Sequence, residues 1–292
     1  MAWRFLHTPG LLGILVFIAL LCGCNPKAIM LKSMDPIMDD MNIAVNRNTD
    51  VDMLHDAMPA FLVQMDGFLL SAPNDKRLLQ TAEAYFGYAN CYVEDTDKQR
   101  ASMLYLKARG YALRALVGEA GFEKVLDKDL IEFKDLLQGY GTGDVPALFW
   151  TANSWIAWVA LNLDKPEAIM DIPKAQAMLE RVVELDETFY YGSAHAALGA
   201  LYAAQPRIMG DTSAKAKQHF DKAFEISGRK LLFVHLYYAK FYAYQIQDRD
   251  LFIKTLEEVL AAPSDIFPDR AFANEVAKRK AKILLDNVDM YF

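Results

Sequence analysis

From Tyr190 to Pro263 the chain repeats one pattern: an apolar, aromatic helix, a turn, then an amphipathic helix with charges along its outer face. Two looser or tighter copies lie upstream. The second helices match closely. Lys174-Ala175-Gln176-Ala177-Met178-Leu179-Glu180-Arg181-Val182 and Lys215-Ala216-Lys217-Gln218-His219-Phe220-Asp221-Lys222-Ala223 alternate charged and apolar positions in nearly the same order. Such a chain is constrained to an all-α fold, because each hairpin has an apolar face that only the next hairpin can cover.

The cleanest copy has Tyr85, Tyr88, Ala89 and Tyr92 on its first helix and Ala101, Tyr105 and Ala108 on its second. In the later copies Ala157 and Ala160, Gly199 and Tyr202, and Ala239 and Tyr242 mark the first helices. Ala175, Leu179 and Val182, then Ala216, Phe220 and Ala223, then Phe252, Leu256 and Val259 mark the second. This is the register of the 34-residue tetratricopeptide repeat, in which small residues let two helix backbones approach and aromatic residues fill the groove beside them. The first markers of the second helices fall at 101, 175, 216 and 252, so the later steps are 41 and 36 residues. The expected fold is an irregular array of tetratricopeptide-like helical hairpins, an α-solenoid, with N- and C-terminal capping helices.

The first 23 residues read as a signal peptide: Arg4, an almost unbroken apolar run from Leu11 to Leu20, and no acid. The run ends at Leu21-Cys22-Gly23-Cys24, the pattern of a lipobox, which makes Cys24 the expected lipidation site and mature N-terminus. Leu11 to Cys22 is too short to cross a hydrocarbon core that needs roughly 20 apolar residues, so the chain is expected to be anchored and not inserted. Residues 24–34 are expected to form a tether and 35–292 a single helical domain. With Cys22 removed and Cys24 acylated, Cys91 is left as the sole free thiol, mid-helix and read as a small buried hydrophobe. The formal charge of −7 argues against nucleic acid, whose phosphates call for a basic face.

Asp35-Pro36 suits a helix start, Asp50 a cap, and Pro59 the start of an amphipathic helix carrying Phe61, Leu62, Met65, Phe68 and Leu69. Phe122 to Leu137 reads as one amphipathic helix, and Gly139-Tyr140-Gly141-Thr142-Gly143 as a connector, since its spacing fits neither a dinucleotide fingerprint nor a P-loop. The segment from Asn162 to Pro173 reads as a connection with two prolines. Three of the four tryptophans, Trp150, Trp155 and Trp158, fan out over one helix; this is core packing, a ligand cavity or a subunit interface. The basic helix with Arg270, Lys278, Arg279, Lys280 and Lys282 is expected to be a solvated cap. The five histidines are scattered, and neither a metal-ligand spacing nor a catalytic motif occurs, so no enzyme, cofactor or metal is expected.

Tyr190-Tyr191-Gly-x-Ala-His195-x-Ala-Leu-Gly-Ala-Leu-Tyr, the loop Pro206-x-x-x-Gly210-Asp211, the helix Ala216-Lys-x-His-Phe-x-Lys-Ala-Phe-Glu225 and Leu260-Ala-Ala-Pro263 together resemble the TatT family. These are tetratricopeptide-like lipoproteins associated with tripartite ATP-independent periplasmic (TRAP) transporters. Asp144-Val-Pro-Ala-Leu-Phe-Trp150 and Ala273-Asn-Glu-Val-Ala-Lys-Arg-Lys-Ala281 extend the resemblance over most of the mature chain. It implies a lipid-anchored protein on the periplasmic face of a bacterial membrane, with Asn25 compatible with the outer membrane. It also implies a homotrimer around a pore that docks a TRAP-type solute-binding protein and helps small-molecule ligand reach it, with no catalytic residues. The candidate ligand- or partner-binding residues are Trp150, Trp155, Trp158, Tyr190, Tyr191, His195 and Arg207. For His195 a hydrogen-bonded helix position is the plainer role, whereas Arg207 suits a carboxylate ligand, bound through its planar fork, and a cap on the preceding helix equally well. The alternative function is a generic tetratricopeptide adaptor lipoprotein of outer-membrane assembly or envelope maintenance.

Overall fold

The computed structural model describes residues 26–118, 122–205 and 210–292. Thirteen α-helices and no strand occur among them. Two N-terminal helices, α1 (Pro26–Arg47) and α2 (Val51–Ser71), precede four hairpins. The first hairpin is α3 (Asp75–Tyr88) with α4 (Lys98–Val117); α5 (Phe122–Leu126) and α6 (Leu130–Leu137) follow it. The second is α7 (Val145–Leu161) with α8 (Pro166–Asp186), the third α9 (Phe189–Ala204) with α10 (Ser213–Ser227), and the fourth α11 (Leu232–Tyr237) with α12 (Arg249–Ala261). The last helix is α13 (Ala271–Asp286). The expected all-α array of helical hairpins is the fold observed.

The repeat residues pack as their sizes require. Ala101, Tyr105 and Ala108 are fully buried, as are Ala175, Leu179, Val182, Ala216, Phe220 and Ala223. Gly199 is held to glycine by contact: a Cβ there would stand 2.9 Å from the buried ring of Phe220, so α9 and α10 approach as closely as they do only without one. Side-chain caps fix five of the helix starts. Asp50, Asn74, Asp97, Asp129 and Asp248 each accept a hydrogen bond from a first-turn amide that would otherwise lack a partner.

Several expected breaks are continuous helix. Pro36 lies inside α1, Pro59 inside α2 and Pro173 inside α8, where the first of the two prolines, Pro166, starts the helix. A proline inside a helix removes one hydrogen bond at a cost of about 3 kcal/mol. Burial of Met58, Leu62, Met65 and Leu69 along one face of α2 is ample to offset it. The stretch expected as one helix from Phe122 to Leu137 is two, because Asp129 caps a new start at Ile131 and Glu132. The amides of α3 and α11 continue through wide π turns, Ala89–Val93 and Tyr238–Ala243.

The array does not end free. Helix α13 packs against α11 and α12 and also reaches α1 and α2, so the two ends of the chain meet. Val51 and Leu54 bury against Phe272 and Val276 at this seam. Around them Arg279 pairs with Asp52 at 2.9 Å, Arg47 with Asp269 at 2.7 Å, and Lys280 with Glu94 at 2.9 Å and Asp95 at 2.6 Å. The solvated cap expected of this helix is therefore corrected: Lys280 is only 11% exposed and Arg270 only 13%. Burial alone would push the Lys280 pKa down, but the carboxylates of Glu94 and Asp95 outweigh it and hold the ammonium charged.

Candidate functional site

Closing the array encloses a cavity on its concave side. The centres of water-sized molecules can occupy about 160 Å³ of it. The first helix of every hairpin supplies lining residues, whereas the second helices α4, α8, α10 and α12 supply none. Helices α1, α2 and α13 complete the wall. Most of the lining is apolar: methionines Met38, Met58 and Met65 on one side, Phe149, Trp150 and Phe233 on others. Among the described lining residues, Glu83 supplies the one carboxyl group and Arg270 the one guanidinium.

These two meet at Tyr190. The Tyr190 hydroxyl donates to Glu83 Oε1 at 2.8 Å and accepts from Arg270 Nη1 at 2.8 Å, and the same Nη1 donates to Asn46 Oδ1 at 3.0 Å. The guanidinium lies 4.2 Å from the centre of the Tyr190 ring, with Tyr191 beyond at 5.1 Å. Arg270 Nη1 and Glu83 Oε1 are 3.7 Å apart, a loose ion pair. The Glu83 side chain is 23% exposed, and burial pushes its pKa up despite Arg270. Arg270 Nε is buried and has no hydrogen-bond partner.

The backbone around Tyr190 is strained. Tyr190, Tyr191 and Gly192 have φ of 47°, 60° and 76°, a left-handed turn before the regular part of α9. Gly192 takes such a conformation freely, but each tyrosine costs roughly 1–2 kcal/mol. The turn swings the Tyr190 ring against Phe149 and Trp150, at centroid distances of 5.6 and 5.0 Å. Strain of this kind clusters at functional sites.

The candidate residues thus separate. Trp150 and Tyr190 line the cavity, and Tyr191 stands behind Arg270 with its ring 4.8 Å from Phe267. Trp155 and Trp158 point elsewhere, into a buried cluster with Arg109 at 5.0 and 5.7 Å from their rings. His195 lies between α9 and α10, its Nδ1 2.9 Å from His219 Nδ1 and its Nε2 3.4 Å from Glu187. One imidazole must donate and the other accept, which suits a neutral pair. Cys24 and Arg207 fall outside the described residues. Cys91 is half-buried in the cavity wall, and burial pushes its thiol up to about 12, so it stays protonated. Among the described residues no group of three His, Cys, Asp or Glu could hold a metal ion. No described helix is long and apolar enough to cross a membrane.

The histidines predict acid sensitivity. Unfolded imidazoles take up protons near pH 6.5, whereas burial lowers His219 and His235 to about 4 in the folded chain. Their contribution to stability is complete above pH 6.5 and is lost as pH falls from there toward 4, by up to about 2 kcal/mol per histidine at pH 5. Urea denaturation at pH 7 and pH 5 checks this. His219→Gln is expected to narrow the difference between the two midpoints, and an unchanged difference would rule His219 out as a cause.

The molecule is thus a helical-repeat protein whose two ends meet around a mostly apolar cavity holding one charge pair. A family model described as TRAP transporter T-component matches residues 47–292, and the chain belongs to that family. It is thereby a component of a TRAP-type transport system of the bacterial envelope, and its family is a transport accessory, not one of known enzymes. An uncharacterized protein of Treponema pallidum (strain Nichols) is 24% identical over 271 residues, covering 87% of this chain and 84% of that one.

Proposed function

We propose that the chain is anchored through lipidated Cys24 on the periplasmic face of the outer membrane, assembles as a homotrimer, and docks a TRAP-type solute-binding protein. In this reading small-molecule ligand reaches that partner by way of the central cavity. The observation that carries it is the cavity itself, walled by the first helix of every hairpin and sealed by α13 in a chain of the T-component family. The adaptor alternative is weakened by the same closure. An adaptor built from such repeats presents an open concave face to its partner, and here α1, α2 and α13 cover that face.

The test is a pull-down from periplasmic extract with the mature chain carrying Cys24→Ser, followed by mass determination of what is recovered. Recovery of a TRAP-type solute-binding protein on a trimeric core is expected. Outer-membrane assembly factors in its place, or a monomer without partner, would overturn the proposal.

A further inference from the structure

The polar cluster at Arg270 sits at a junction. Asn42, Gln80, Glu83, Trp150, Tyr190 and Arg270 line both the inner cavity and a shallower outer pocket that continues past Lys76, Leu79 and Pro146. Inward of the cluster the wall is mostly apolar and rich in methionine, whose unbranched side chain adapts to varied apolar shapes. A molecule reaching inward from the junction meets one cation there and a mostly apolar wall beyond it.

Arg270 is built to receive something. Its charge is buried, its counter-ion Glu83 stands off at 3.7 Å, and its Nε has no partner. A buried guanidinium offers five donors in a planar fork, and an oxyanion bound to it replaces weak partners with charge-assisted hydrogen bonds. Tyr190, held in a strained conformation, is what separates Glu83 from Arg270: its hydroxyl is inserted between them.

Building on the cavity reading above, we infer that the ligand is an amphiphilic monocarboxylate, its carboxylate on Arg270 in place of Glu83 and its apolar body among Met38, Met58 and Met65. A dicarboxylate of the same length suits the space poorly: directed inward, its second charge would lie in the methionine-lined part with no cation to meet it, and directed outward it would find Lys76 already paired with Asp39 at 2.6 Å. A neutral alcohol of the same length keeps the apolar contacts but leaves the Arg270 fork unfilled.

Calorimetry on the mature chain with Cys24→Ser tests this, using decanoate, decanol and decanedioate as probes. Decanoate is expected to bind one to one and at least about tenfold more tightly than either of the others. Arg270→Met should bring decanoate down to the level of decanol while leaving decanol within about threefold of its original affinity. Glu83→Gln, which removes the competing carboxylate and keeps the hydrogen-bonding shape, should tighten decanoate. Decanol matching decanoate, decanedioate matching it, or no binding of any probe would overturn the inference. Should Arg270→Met fail to fold, Glu83→Gln decides alone, and weaker decanoate binding in that variant sinks the idea. The two proposals fail separately. Recovery of the solute-binding protein with no decanoate binding discards the ligand class and keeps the transport role, whereas decanoate binding without a partner does the reverse.

Discussion

Trp155→Ala is expected to destabilise the domain by about 3–5 kcal/mol, the range for removing a large aromatic side chain from a core. Trp155 is 1% exposed. Its indole Nε1 donates to Asp171 Oδ2 at 2.8 Å, its ring meets Phe133 edge-on at 6.2 Å, and the Arg109 guanidinium lies over its face at 5.0 Å. Arg109 is 3.9 Å from Asp171 and itself largely buried, and that burial pulls its pKa down. Truncating the indole leaves a void in α7–α8 packing and strips the cation of the ring that faces it. Urea denaturation of the variant reads the effect as a lowered midpoint. A tryptophan at a subunit interface would behave differently: the midpoint of the isolated chain would hold, and only association would weaken. An unshifted midpoint would therefore refute the core role drawn from its burial.

Lys280→Met is expected to cost about 3 kcal/mol or more, because it leaves Glu94 charged and buried without its cation. Glu94 is 16% exposed and accepts from the Tyr105 hydroxyl at 2.6 Å as well as from Lys280 at 2.9 Å. Asp95, the second partner of Lys280, is 52% exposed and can turn to water. The loss thus falls on Glu94. Adding Glu94→Gln to Lys280→Met should recover much of the stability, since a neutral amide can still bond to Tyr105 without a buried charge. Denaturation midpoints of the single and double variants check this, and a double variant less stable than Lys280→Met would show that the charge is not the cause.

The hairpins were legible because their signals are local. Tyr105 between Ala101 and Ala108 states which face of one helix is buried, and the answer does not depend on what lies a hundred residues away. The prolines misled for a related reason. Pro59 looks like a break in its own window, and only the burial of Met58, Leu62 and Met65 on other helices explains why α2 runs through it. The candidate site was half legible. Trp150 and Tyr190 stood out as aromatic clusters, but Glu83 and Arg270 carried no signal, being an ordinary acid and an ordinary base 107 residues before and 80 after the tyrosine that joins them. Nothing in Tyr190-Tyr191 revealed that these two residues are left-handed together with Gly192.

The seam between α13 and the first two helices also orders events in time. Glu94, Asp95 and Asp52 are synthesised roughly two hundred residues before the basic partners that pair with them, the separations being 185–227 residues. Until those partners emerge, the growing chain carries stacked hairpins whose inner faces and acidic groups are open to water. Contacts this distant in sequence form slowly, because the intervening chain must first be brought into place. Enclosure of the cavity therefore waits until α13 has been made and can reach the first two helices. A product cut short before Arg270 retains hairpins but has no inside.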